Sequence, residues 1–258
     1  MMQLNLQNRI ALVTGATGDL GRVMVRTLAA CGADVAIHYH SNRDKAEQLV
    51  SEVEALGRRA CAVKADVGDR DSVFAMAETV RKALGDPDIV VANAVAQINP
   101  WDSVLEESAE DFTSQFRTCV LQNAFLAQAF VPAMQQKQWG RYIALNTECL
   151  MQCDPSQGAY ISGKGGQDRL LRVLAKEVGG AGITVNQVAP GWTISDRYRN
   201  AAGVVEDPGP GYTESLPLKR RTTDEDIAHA VCFLASDLAQ AITGVYLPVC
   251  SGNVMPRV

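Results

Sequence analysis

The feature that constrains this chain most is a regular alternation. Short apolar, β-branched runs are followed by longer segments whose apolar residues recur every three or four positions. Residues 9–16 (RIALVTGA), 34–40 (DVAIHYH), 59–66 (RACAVKAD), 87–94 (PDIVVANA), 141–147 (RYIALNT), 182–191 (GITVNQVAPG) and 244–249 (GVYLPV) read as strands. Helices are predicted between them, over 20–32, 43–57, 69–85, about 108–137, about 158–179 and 224–236. Strands separated by helices pair in parallel, with helices packed on both faces. The expected fold is therefore α/β, a doubly wound parallel sheet. Nothing reads as a linker before EDPGPGY at 206–212, which lies inside the pattern and belongs to a loop of about 192–216. Residues 1–258 are expected to form one domain.

Composition removes several classes. The 258 residues are 47% hydrophobic and 21% charged, which suits a chain with a full core. A formal charge of −5 gives no electrostatic case for nucleic acid. No apolar run approaches the roughly 20 residues of a membrane helix. MMQLNLQNR has neither an apolar core nor a cleavage site, so no signal peptide is read and the expected location is the cytoplasm. The seven cysteines are scattered and read as free thiols. CLMQC (149–153) lacks the spacing of a zinc knuckle or redox pair, so no metal is expected.

In such a fold chemistry gathers at the C-terminal ends of the strands. The first end, VTGATGDLGR, places Gly15, Thr17, Gly18, Asp19, Leu20 and Gly21 between a strand and a helix. Glycines there let the backbone approach a pyrophosphate, and the helix N-terminus favours its charge. The second end, IHYHSNR, has no acid where one would hold the ribose 2′-hydroxyl of NAD, about 20 residues past the glycines. His40, Ser41, Asn42 and Arg43 suit a 2′-phosphate instead, so NADP(H) is favoured over NAD(H). His38 reads as an ordinary strand residue. The third end, KADVGD, offers Asp66 and Val67 to the adenine, with Asp66 equally readable as a helix cap and Asp69 the better cap.

GAYISGKGG, 158–166, sets Tyr160 four residues before Lys164, on one helix face. An ammonium beside a phenol lowers its pKa and suits it to acid–base work. The surrounding small residues are expected to leave room for cofactor and substrate, which gives a reason for glycines that each cost roughly 1 kcal/mol in a helix.

With these motifs the chain resembles the short-chain dehydrogenases/reductases over nearly its whole length, and its ending resembles the 3-oxoacyl-(acyl-carrier-protein) reductase-type ketoreductases. The resemblance implies a Rossmann-type fold and hydride transfer between a nicotinamide and a carbonyl or alcohol carbon. It implies that Tyr160 transfers the proton, that Lys164 holds the nicotinamide ribose, and that Thr147, at the family's serine, orients the carbonyl. ANAV places Asn93 and Ala94 against the cofactor, and VNQVAPGW adds Pro190, Gly191, Thr193 and Ser195. The family's catalytic asparagine falls on Cys119, its second loop glycine on Asp19, and another glycine on Val95. Family members are often tetramers, so a homo-oligomer is expected, with LQNAFLAQAFVPAM (121–134) apolar enough for an interface.

Substrate walls are expected from Val95, Trp101, Met151, Cys153, Trp192 and Tyr198, an apolar and aromatic set for a small carbonyl or alcohol. Arg197, Arg199, Lys219, Arg220 and Arg221 read either as a solvated face or as partners for the anionic tail of a phosphopantetheine carrier. Two other functions stay open. Cys119, Val95 and Asp19 motivate a nucleotide-binding sensor or scaffold without catalysis. IHYHSNR also resembles the pteridine reductases, which carry an aspartate where Thr147 stands.

Overall fold

The computed structural model describes residues 4–96, 101–195, 209 and 211–256. Seven strands form one all-parallel sheet: β1 (Ile10–Val13), β2 (Asp34–Tyr39), β3 (Ala60–Lys64), β4 (Ile89–Ala92), β5 (Gly140–Leu145), β6 (Ile183–Pro190) and β7 (Tyr246–Val249), in the order β3-β2-β1-β4-β5-β6-β7. This is a Rossmann-type doubly wound sheet. The chain reverses its direction of travel between β1 and β4, and that switch point opens a crevice at the C-terminal strand ends.

The helices are α1 (Asp19–Ala30), α2 (Arg43–Ala55), α3 (Arg70–Ala83), α4 (Ala109–Gln115), α5 (Gln122–Lys137), α6 (Cys149–Gln152), α7 (Gly158–Val178), α8 (Tyr212–Ser215) and α9 (Asp224–Ala235). Side chains fix the starts of several. Asn42 caps α2, and Asp69 caps α3 by accepting from Ser72 N at 2.7 Å. Ser108 and Thr223 each head a capping box, on α4 and α9. The central strands are buried on both sides, as a covered parallel sheet requires. One core packs Leu28, Val35, Ile37, Val91, Ile227 and Val231 under α1, α2 and α9. The other packs Leu12, Val90, Leu126, Phe130, Met134, Tyr142 and Leu171 under α3, α5 and α7.

Two expectations change here. The single helix expected over 108–137 is interrupted by a π-helical turn, Phe116–Leu121, between α4 and α5, and that turn carries Cys119. The apolar circumference of 121–134 is largely spent inside the subunit: Leu126, Ala129, Phe130, Val131 and Met134 all pack in the second core. Among the described residues, no helix is long and apolar enough to cross a membrane, and no cluster of His, Cys, Asp and Glu could hold a metal ion.

Candidate active site

The glycine turn after β1 is bound from every side. Gly15 has φ +60°, and a β-carbon on it would lie 2.9 Å from Ala94 Cα, so both the conformation and the space call for glycine. A β-carbon on Gly21 would strike the Gly15 carbonyl at 2.2 Å, so α1 starts close against the turn. Thr14 Oγ1 accepts from the N–H of Asn93 (2.9 Å) and of Ala94 (3.0 Å) and donates to Gln122 Oε1 (2.8 Å). Asn93 Nδ2 donates to the carbonyls of Thr14 and Gly15 at 2.9 and 3.1 Å. Asn93 thus holds the turn's shape from behind. Gln122, absent from the expected site, is the brace beyond it.

His38 is another brace and not a plain strand residue. It is 1% exposed. Its Nδ1 accepts from Gly15 N at 2.9 Å and its Nε2 reaches the Ala65 carbonyl at 3.1 Å. Those partners assign the neutral Nε2–H tautomer. Burial, the dominant cause, pulls its pKa down to about 4. One imidazole therefore ties the ends of β1, β2 and β3 together.

Gly18 caps α1 without a side-chain bond, so the first N–H groups of the helix face the crevice. Asp19, expected to repel phosphates unless turned aside, is turned aside. Arg22 Nη2 donates to its Oδ1 at 3.3 Å and Ser195 Oγ to its Oδ2 at 3.1 Å. At the end of β2, His40, Ser41, Asn42 and Arg43 are exposed. Asn42 spends its side-chain oxygen on Lys45 N, and Arg43 pairs with Glu47 at 3.4 Å. Asp66 Oδ1 accepts from Gly68 N at 2.8 Å, closing a turn beside buried Val67. Leu20 and Thr17 flank the α1 start. The glycine cradle, the open helix N-terminus and the acid-free end of β2 fit a dinucleotide with a 2′-phosphate.

At the end of β5, Thr147, Tyr160 and Lys164 meet. The Thr147 hydroxyl lies close enough to the Tyr160 phenol to favour its ionised form, and it accepts from Cys149 N at 3.2 Å. Lys164 Nζ lies 5.9 Å from the Tyr160 ring centre. Lys164 is 3% exposed and donates to the Leu145 carbonyl at 2.6 Å, with Gln167 Oε1 at 3.5 Å. Trp101 stands edge-on to the Tyr160 ring at 5.5 Å. Tyr246 donates its hydroxyl to the Thr147 carbonyl, and Glu107 accepts from Ala159 N at 3.0 Å, fixing the start of α7.

Against this geometry the comparisons can be weighed. Residues 15–253 match the family model described as Enoyl-(Acyl carrier protein) reductase. The protein is a short-chain dehydrogenase/reductase. Relatives of this oxidoreductase include the 3-oxoacyl-(acyl-carrier-protein) reductase FabG of Staphylococcus epidermidis, 34% identical over 96% of this chain and 100% of the relative. Nodulation protein G of Azospirillum brasilense is 31% identical over 96% and 98%. Among solved structures, the promiscuous reductase LugOII, which catalyses keto-reduction at C1 during lugdunomycin biosynthesis, superposes with a TM-score of 0.84 at 28% identity, over 97% of this chain and 100% of that one. A 7α-hydroxysteroid dehydrogenase complexed with NADH and 7-oxo glycochenodeoxycholic acid gives 0.86 at 27%, over 98% and 96%.

This short-chain dehydrogenase/reductase departs from the sequence reading at three points. The Tyr160 phenol is held above its ordinary pKa, not below. Burial is the larger effect, and the Thr147 hydroxyl only partly opposes it. Burial also lowers the pKa of Lys164, which is occupied by a backbone carbonyl. Secondly, most of the glycines around Tyr160 do not open space for a ligand. A β-carbon on Gly163 would lie 3.0 Å from Gln115 Cβ, on Gly166 2.8 Å from Val120, and on Gly158 2.5 Å from Val104. They let α7 press against α4, the π-turn and the loop before α4. Thirdly, Cys119 is fully buried, with Sγ 3.8 Å from Gln115 Oε1 and its thiol pushed up by burial. Its carbonyl accepts from Asn123 Nδ2 at 2.6 Å, a partner the sequence did not disclose.

On the substrate side, Val95 and Met151 are half-buried, Cys153 is exposed, and Trp101 and Trp192 are 48% and 46% exposed. Trp192 contacts Tyr212 edge-on at 6.0 Å. Pro190 ends β6, Gly191 N donates to the Val249 carbonyl, and Thr193 Oγ1 donates to the Gly191 carbonyl at 2.9 Å. Tyr198, Arg197 and Arg199 lie outside the described residues.

Proposed function

We propose that this protein reduces a ketone with NADPH, Tyr160 donating the proton to the developing alkoxide. The grouping of Thr147, Tyr160 and Lys164 at one strand end, beside the braced glycine turn, carries the proposal. The bound nicotinamide supplies the hydride. Thr147 Oγ1 holds the carbonyl oxygen, and the Tyr160 hydroxyl shares that oxygen and yields its proton. A phenol that burial keeps protonated is suited to the donor role, which favours the reductive direction. Lys164, anchored on Leu145 and 5.9 Å from the Tyr160 ring centre, is assigned the ribose hydroxyls by family resemblance. The acid-free HSNR segment, with Arg43 open to solvent, favours the 2′-phosphate of NADPH over NADH.

The substrate is taken to be a free apolar or aromatic ketone, not a carrier-bound one. Among the described residues, the cations that would meet a phosphopantetheine tail are engaged: Arg220 by Asp226 at 2.6 Å, Arg221 by the Trp192 carbonyl, and Lys219 by the Glu214 carbonyl at 2.7 Å. By family resemblance the protein is further taken as a cytoplasmic homotetramer with the whole chain as its catalytic domain, which light scattering on the purified protein checks. The test of function is titration with NADPH and with NADH, followed by turnover on aromatic ketones, β-keto esters and a 3-oxoacyl thioester. Tight NADPH binding with reduction of a free ketone is expected. Binding without turnover on any of them would leave the nucleotide-binding sensor as the better reading.

A further inference from the structure

Behind Thr147 runs a buried polar chain that the proton path above does not use. Asn146, Gln187 and Asp168 are 4%, 1% and 5% exposed. They come from the end of β5, from β6 and from α7. Asn146 is the node. Its Oδ1 accepts from Thr147 N at 2.9 Å, and its Nδ2 donates to Gln187 Oε1 at 2.7 Å and to the Lys164 carbonyl at 3.3 Å. Gln187 Nε2 donates to Asp168 Oδ1 at 2.9 Å. The exposed Arg172 donates from Nε to both Asp168 oxygens, at 2.9 and 3.0 Å. The carbonyl just before Asn146, that of Leu145, receives Lys164 Nζ. Among the described residues, no side-chain oxygen or nitrogen of Asn146, Gln187 or Asp168 is buried without a partner. The chain is complete from the Arg172 guanidinium to the Thr147 backbone.

We propose that Asn146 is a positioning residue for the reduction: Asp168 sets the direction of the Gln187–Asn146 hydrogen-bond chain, and that direction holds Thr147 and Lys164 in register. The activity readout rests on the reductase reading above; the direction of the chain does not. An amide has one accepting and one donating end of nearly the same shape, so packing alone does not choose between them. Asp168 chooses. Paired with Arg172, its carboxylate only accepts, so Gln187 turns Nε2 toward it and Oε1 toward Asn146. That oxygen calls for Asn146 Nδ2, which leaves Asn146 Oδ1 for the Thr147 N–H. Turning either amide over would set acceptor against acceptor in a buried site, where an unmade hydrogen bond is costly. One charge on α7 thus fixes the backbone that carries the Thr147 hydroxyl. The same Asn146 amide holds the turn of α7 that carries Lys164. Asp168 touches no reacting group and acts through two amides.

The test reverses the chain in the full-length protein, assayed at about pH 8 to favour ionised carboxyls. Asn146→Asp sets a carboxylate oxygen against Gln187 Oε1, and Gln187 escapes only by turning Oε1 toward Asp168. This variant should lower kcat by about 10–100-fold, with KM for the ketone and NADPH affinity within about twofold. Adding Asp168→Asn gives the turned-over Gln187 a donor on α7 and leaves its Nε2 for the new carboxylate. The double variant should regain at least about fivefold in kcat over Asn146→Asp, a rescue that a role in packing alone does not predict for near-isosteric changes. Hydrogen exchange supplies a readout without turnover. In Gln187→Met, which cannot pass the direction on, the Thr147 N–H should exchange at least about tenfold faster, with the rest of β5 unchanged. If no ketone is turned over, the reductase reading fails and exchange alone decides the chain. Wild-type kcat in Asn146→Asp, a double variant no faster than Asn146→Asp, or unchanged Thr147 exchange in Gln187→Met would each overturn the proposal. Should Asn146→Asp not fold, Gln187→Met decides: its kcat should fall at least about fivefold with NADPH affinity kept, and an unchanged kcat overturns the proposal.

Discussion

The cofactor side and the substrate side of the sheet each bury an ionisable group at a strand end, and they treat it differently. His38, in β2 between its neighbours β1 and β3, has both ring nitrogens engaged, one by Gly15 N–H and one by the Ala65 carbonyl. Glu148, after β5, has a buried oxygen with no hydrogen bond among the described residues. The glycine turn is thus complete in itself: Thr14, Asn93, Gln122 and His38 fix it before any charged ligand arrives. On the substrate side, no such closed set of hydrogen bonds surrounds the Glu148 carboxyl among the described residues. The contrast suits a protein that binds one fixed cofactor and adjusts its other wall to the substrate.

The largest effect expected on this contrast, short of removing Tyr160, is at Thr147. Thr147→Val should lower kcat by roughly 10²–10³-fold, since in the proposed mechanism it removes the hydroxyl that holds the carbonyl oxygen. Thr147→Ser should keep most of the rate, and steady-state kinetics on the two variants decides. A smaller, thermodynamic effect belongs to His38. Its folded-state pKa is depressed from 6.5 to about 4, so its contribution to stability is complete above about pH 6.5 and is lost as pH falls through 4. That difference corresponds to ~3 kcal/mol. His38→Leu should flatten this part of the acid limb, and at pH 7 should cost ~1–3 kcal/mol for the Gly15 N–H it leaves unpaired, as read by urea unfolding across pH. Glu148 carries the opposite sign, so its contribution is present at low pH and fades as pH rises through its raised pKa.

The glycines of α7 give a finer test of which contacts are tight. Gly163→Ala meets Gln115 Cβ at 3.0 Å and its carbonyl at 3.1 Å, and should cost ~1–3 kcal/mol. Gly165→Ala meets only Leu150 at 3.5 Å and should stabilise by ~0.5–1 kcal/mol through helix propensity. Thermal unfolding of the pair checks both signs. The smallest effect is at the exposed end of β2. Arg43→Ala should weaken NADPH by about tenfold, leave NADH unchanged, and reduce the salt dependence of NADPH binding.

The alternation of apolar runs was enough to read all seven strands and the parallel sheet, because central strands buried on both faces carry a signal in themselves. Asp69 was legible as the cap of α3, whereas Asn42, read toward a 2′-phosphate, caps α2. The π-turn at Phe116–Leu121 was not, since its residues keep helical spacing and the extra residue in the turn leaves no compositional mark. The glycines around Tyr160 were visible but misassigned, because a glycine reports that something comes close without saying what: here it is Gln115, Val104 and Val120. His38 and Glu148 were opaque for another reason. The partners of His38 are 23 and 27 residues away in sequence, and a lone histidine or glutamate carries no local signal of being buried. The raised pKa of Tyr160 was missed because the i, i+4 spacing shows the ammonium but not the burial that outweighs it.

The measurement that tests the central claim most directly is Tyr160→Phe, assayed for NADPH binding and for ketone reduction on the same preparation. The account predicts that binding stays within about threefold of wild type while reduction falls by roughly 10²–10⁴-fold, the share of a positioned proton donor. Reduction at the wild-type rate by Tyr160→Phe would contradict it.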